Sequence, residues 1–129
     1  MEYGIGLDTT LNISYEQDLH ISKYAAELGY TSIWTPESNA YDSFVVCLER
    51  WKSSQDSISA GVTTGIAVSP VNLRTPFALA MTASTISKRT KGKFILGIGS
   101  GGVYREATRN LLGFKKVSVL NLMTDYITI

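Results

Sequence analysis

Short apolar runs rich in β-branched and aromatic residues alternate along this chain with longer stretches whose apolar residues recur every three or four positions. The runs begin near Tyr3, Thr31, Ser59 and Lys93, and a helical pattern follows each. Tyr3-Gly4-Ile5-Gly6-Leu7-Asp8 reads as a strand ending on a carboxylate, and Ser14 with Gln17 forms a capping box for the helix behind it. That helix carries Ile21, Ala25 and Leu28 on one stripe and stops at Gly29. A second strand, Thr31 to Thr35, is closed by Pro36, and Phe44, Leu48 and Trp51 mark the next helix. The third strand is expected from Ser59 to Val68, ended by Ser69-Pro70 because proline cannot donate to a ladder. Thr75 as N-cap and Pro76 at the first position open a helix with Leu79, Ala83 and Ile86 on its buried side. The fourth strand, Lys93 to Ile98, runs into a glycine-rich turn that reaches Gly102, and a last helical pattern shows Leu120, Met123 and Ile127.

Strand-helix alternation argues for a parallel sheet, because each return to a parallel strand needs a crossover of a dozen or more residues. The strands are nearly continuous in apolar residues, as expected of strands covered on both faces. Their stride of about 30 residues is that of an eight-fold β/α barrel. The expected fold is therefore α/β of the (β/α)8 TIM-barrel type, with only the first four βα units present, in one domain over residues 1–129. A half-barrel would expose two unpaired strand edges, so a homodimer or a complementing second half is the expected partner.

Charge and cysteine content narrow the function. Twelve basic residues against eleven acidic ones leave a net charge of +1, which disfavours nucleic acid as a partner. The single cysteine, Cys47, lies in the apolar run Phe44 to Leu48, so it reads as a buried, inert thiol. No stretch reaches the 18 or more apolar residues of a membrane span, and the N-terminus enters a strand without a basic leader. A cytoplasmic protein is expected. No metal-ligand spacing is present, and the one histidine, His20, falls in mid-helix, away from any strand end.

In a β/α barrel the chemistry sits at the C-terminal ends of the strands. That rule selects Asp8, then Glu37 with Ser38 and Asn39, then Ser69 with Asn72, then Ser100 to Gly102. Gly97, Gly99 and Gly102 satisfy G-x-G-x-x-G, but a nicotinamide fold needs an acid at the end of the next strand. The nearest later acid, Asp125, lies in a helical pattern. The better physical reading is that glycine lets backbone approach a flat ring or its ribityl chain closely. Lys88 to Lys93 precedes a strand, so this basic run is a solvated loop at the opposite end.

Four segments together resemble the luciferase-like monooxygenase family: Ile33 to Glu37, Thr64 to Pro70, Arg74 to Ala78, and Gly92 to Gly101. The resemblance covers nearly the whole chain, and it is specific in the order and spacing of the four segments. It implies a barrel that binds FMN or the deazaflavin coenzyme F-420 at the strand C-termini and acts on a small-molecule substrate. In that family the third strand bulges behind the ring, often with a non-prolyl cis peptide, and the matching stretch here is Gly65-Ile66-Ala67. Glu37 matches an acid near the ring, and Ser100 matches a small hydroxyl residue that contacts the cofactor. The cofactor-binding residues expected are thus Asp8, Glu37, Gly65, Ile66, Ala67, Ser100 and Gly101; no catalytic residue is assigned.

Two departures narrow the choice within the family. Luciferase and the sugar-phosphate dehydrogenases place histidine after the strand-two acid, where this chain has Ser38 and Asn39. The dehydrogenases also carry a glutamate after the fourth-strand glycines, where Gly102 and Val103 stand. The pattern fits flavin- or deazaflavin-dependent reductases of the methylenetetrahydromethanopterin type better. Family members are more than twice as long, so an incomplete enzyme and a non-catalytic flavin-binding or assembly module both remain as expectations.

Overall fold

A computed structural model of the chain describes residues 1–8, 11–38 and 41–128. Strands and helices alternate as β1 (Gly4–Gly6), α1 (Tyr15–Glu27), β2 (Ser32–Thr35), α2 (Ser43–Ser54), β3 (Thr63–Pro70), α3 (Pro76–Arg89) and β4 (Phe94–Gly99). Two further helices follow, α4 (Glu106–Leu112) and α5 (Val119–Ile127). The strands form one parallel sheet in the order β1-β2-β3-β4.

Local chemistry sets the helix ends. Ser14 and Gln17 form the expected reciprocal capping box, and Gly29 takes φ +88° just past the end of α1. Asp42 caps α2 by accepting from the Phe44 and Val45 amides at 3.0 and 3.2 Å. Thr75 caps α3 ahead of Pro76.

Strand register sorts the side chains into two faces. Ile5, Ile33, Thr64 and Phe94 stand side by side, as do Thr35, Ile66 and Leu96. This set faces the helices: Leu7, Ile33 and Val62 pack with Ala25 and Ala26, while Ile66 packs with Phe44, Cys47, Leu79 and Ile86. The other face carries the row Gly6, Trp34, Gly65 and Ile95. Among the described residues only the first face is covered by helices, and Ile95 remains 47% exposed on the other.

A buried ion pair ties the helices to the strand ends. Arg50 Nε and Nη2 donate to the two carboxylate oxygens of Asp18, each at 2.9 Å. The same guanidinium donates to the Trp34 and Leu7 carbonyls at 3.3 and 3.4 Å. One side chain on α2 therefore pins α1 and the ends of β1 and β2 together.

The third strand differs from the sequence expectation at both ends. It enters the ladder at Thr63, not Ser59, because the preceding chain makes a turn at Gly61, φ +67°, over the Trp51 ring. Ser54 Oγ then accepts from the Val62 amide at 2.9 Å and docks the chain before pairing begins. It also runs through Ser69 to Pro70, which pair with Ile98 and Gly99. Proline is accommodated as the last strand residue. Helix α4 was not expected; it buries none of its residues and so leaves no apolar stripe in the sequence. The single cysteine is fully buried, as expected, and burial pushes its thiol pKa up to about 12.

Candidate functional site at the strand C-terminal ends

The register between β3 and β4 slips between Ile66 and Ser69, so Ala67 and Val68 bulge opposite Gly97. The Ala67-Val68 peptide is cis. The bulge thus falls one step beyond the expected Gly65-Ile66-Ala67 stretch, since Gly65 and Ile66 keep regular pairing with β2 and β4. Ala67 and Val68 are both exposed, whereas Gly65 and Ile66 are buried. A Cβ placed on Gly99 would come within 2.6 Å of the Val68 side chain, and one on Gly97 within 2.5 Å of the Ile66 carbonyl. Glycine at both positions therefore lets Val68 lie flat on the neighbouring strand.

Behind the bulge is a connected polar network. Ser69 Oγ donates to Glu37 Oε2, and both residues are buried. Arg74 Nη2 donates to Glu37 Oε1 and to Asp42 Oδ2, each at 2.6 Å. The Arg74 guanidinium also sits 4.7 Å above the Phe44 ring centroid. Burial pushes the Asp42 carboxyl up, but hydrogen bonds from Arg74 and from the Val45 and Phe44 amides outweigh it and hold the carboxyl below its ordinary value. Burial lowers the Arg74 guanidinium, yet its bonds to Glu37 and Asp42 raise it on balance. Tyr126 Oη on α5 donates to the Arg74 carbonyl at 2.6 Å, which brings the last helix into the network.

At the end of β4, Gly101 has φ +59°, and a Cβ there would strike the Asn72 carboxamide and come within 2.5 Å of Pro70. Asn72 Oδ1 is buried beside it without a hydrogen-bond partner. Asp8 lines a separate cavity of about 40 Å³ with Tyr15, Asp18, Thr35 and Arg50, space for a few waters and not for a ring.

The structure thus brings Glu37, Ala67, Ser69 and Gly101 to the β2–β4 rim and places Asp8 at the end of β1. The Gly65 backbone lies under the Trp34 ring, and the Ile66 side chain packs in the helix-side core. Ser100 is half-buried in the turn after β4. Asn39 lies outside the described residues. Sequence reasoning gave no role to Arg74, although it opens one of the four segments that carry the family resemblance and stands just before the cap of α3. His20 lies within α1, away from the strand ends as expected, and is exposed. Among the described residues no cluster of histidine, cysteine or carboxylates could hold a metal, and no helix is long and apolar enough to cross a membrane.

Several solved structures share this arrangement. The oxygenating constituent of 3,6-diketocamphane monooxygenase from Pseudomonas putida, in complex with FMN, superimposes with a TM-score of 0.79 at 14% identity over 100% of this chain. Coenzyme F-420-dependent tetrahydromethanopterin reductase from Methanopyrus kandleri gives 0.74 at 18% over 97%, and monooxygenase RslO1 from Streptomyces bottropensis 0.79 at 15% over 99%. This chain spans only 39%, 38% and 41% of those three chains, respectively. No curated protein sequence matches it. The profile of the luciferase-like monooxygenases matches residues 2–129. With that match, and four parallel βα units like those of its structural neighbours, the chain belongs to the luciferase-like monooxygenase family.

Proposed function

We propose that this chain forms the ring-holding part of a flavin- or deazaflavin-dependent oxidoreductase site. The observation that carries the reading is the β3 bulge, which presents the exposed Ala67 and Val68 against a strand kept flat by Gly97 and Gly99. These residues fit a planar, largely apolar ring, and Gly101, at φ +59° and with no Cβ, supplies a close backbone approach beside it. Ser100 and Gly101 would contact the cofactor from the β4 turn, with Glu37 behind the bulge, Asp8 at the β1 end, and Gly65 and Ile66 as the backbone beneath. FMN and the deazaflavin coenzyme F-420 are the two candidates, since structural neighbours of this fold use one or the other. When bound, such a group supplies the hydride or oxygen chemistry, and the protein orients its ring and controls access to it.

The substrate in this reading is a small molecule, and the open sheet face is closed by a second copy or by a complementing half. A specific observation also favours a second reading, a flavin-holding module without catalysis. Both Glu37 oxygens are engaged, and the one histidine lies on α1, so among the described residues the β2–β4 rim offers no free carboxylate or imidazole for proton transfer. The cytoplasm is the proposed compartment, with neither membrane nor nucleic acid as a partner.

The reading is tested by titrating FMN and, separately, coenzyme F-420 into the chain and into Val68→Glu. The substitution places a charge on an exposed position of the bulge. Loss of binding with an unchanged far-UV circular dichroism spectrum is expected, and equal binding by both proteins would refute the site.

A further inference from the structure

Glu37 lies at the rim, where a carboxylate that touches the ring would be placed, but its contacts point elsewhere. Its side chain is only 5% exposed, which leaves little surface for a ligand. One oxygen accepts from Ser69 and the other from Arg74. Its backbone amide donates to the Val68 carbonyl at 3.3 Å. A single residue therefore grips the bulge twice, through main chain at Val68 and through side chain at the next residue. Arg74 holds the carboxylate from behind and is itself fixed by Asp42, by the Phe44 ring and, through its carbonyl, by Tyr126.

We infer that Glu37 is a positioning residue, which sets the conformation of the Ala67–Val68 bulge through Ser69 and contacts no cofactor. The inference deepens the proposed site and rests on that reading for what the bulge holds. The clamp itself can be seen without a ligand.

Three variants separate the alternatives. Glu37→Ala removes both side-chain bonds. Ser69→Ala removes one hydroxyl and no charge, so it carries the test even where Glu37→Ala does not fold. Glu37→Gln preserves the shape and can still bond both neighbours, its oxygen accepting from Arg74 and its amide donating to Ser69, which reverses its role. Amide chemical shifts of the ligand-free proteins and FMN affinities are measured together.

A clamp moves the Ala67, Val68 and Ser69 amides in both alanine variants and leaves them near wild type in Glu37→Gln. FMN affinity then falls about tenfold in each alanine variant. The double variant is no worse than Glu37→Ala, since that variant already lacks the Ser69–Glu37 bond. A mere stability role would lower the unfolding midpoint without this shared shift pattern or the rescue by glutamine. Unmoved bulge amides in Ser69→Ala would overturn the inference, as would an affinity loss confined to Glu37 variants, which marks direct contact. If the wild-type chain binds neither FMN nor coenzyme F-420 while the bulge amides move as stated, the clamp stands and the proposed cofactor site fails.

Discussion

The indole of Trp34 lies across the backbone of Gly65, its register partner on the next strand, so closely that a Cβ on Gly65 would sit 2.5 Å from Trp34 Cε3. Gly6 flanks Trp34 on the other side, yet a Cβ there would meet nothing within 4 Å. Two glycines that pair with one tryptophan therefore have different reasons to be glycine. Gly65→Ala should destabilise the chain by about 1–3 kcal/mol, the usual range for overpacking. Gly6→Ala should change stability by less than about 0.5 kcal/mol, as for an open position. Urea unfolding of the two variants measures the contrast, and equal effects would contradict the packing described.

Breaking the Asp18–Arg50 pair leaves an uncompensated buried charge, because the surviving side chain is 10% exposed or less. Asp18→Asn or Arg50→Met alone should cost about 3–5 kcal/mol. Replacing both by apolar residues of similar volume should recover much of that loss, although the Leu7 and Trp34 carbonyls lose a donor. A double-mutant cycle in denaturant reads the coupling.

Acid should unfold the chain partly through Asp42. Its carboxyl titrates below its ordinary value of 3.8 in the folded state. The stabilisation is therefore present above the unfolded value and is lost as pH falls through the folded one. Glu16 is shifted in the same direction and adds to the same limb. Asp42→Asn should flatten the fall in unfolding midpoint between about pH 5 and 2 relative to wild type. An unchanged slope would show that the Arg74 and helix-cap bonds do not hold the carboxylate in solution.

Cys47 gives the opposite sign. Its folded pKa of about 12 lies above the ordinary thiol value of 9.0, so its neutral form is favoured by folding. Stability should be unaffected by this group below about pH 9 and should decline towards pH 12. At neutral pH a thiol reagent should modify Cys47 only at the rate of unfolding. Fast labelling of the native chain would mean that α2 does not pack on β3 as described.

What could be read from the sequence follows the range of each interaction. Helices α1 and α3 were legible to their caps, because Ser14 with Gln17 and Thr75 with Pro76 act within one turn. The parallel sheet was legible from the alternation of strands and helices, and the rim from the strand ends. The bulge at Ala67–Val68 was not, since a two-against-one mismatch is defined only against Gly97 on another strand. Arg74 was missed for the same reason: it meets Glu37 from 37 residues away. Nor does anything in the string Ser32-Ile33-Trp34-Thr35 tell that Trp34 faces away from the helices until the register with Gly6 and Gly65 is known.

The most direct test of the account is a titration of the unmodified chain with FMN and with coenzyme F-420, followed by cofactor fluorescence and sedimentation velocity on the same samples. Saturable binding of at least one of them, in a species where a second copy closes the open sheet face, is the expected result. Failure of both to bind, in monomer and associated species alike, would contradict the claim that the rim from Glu37 to Gly101 holds a flavin-type ring.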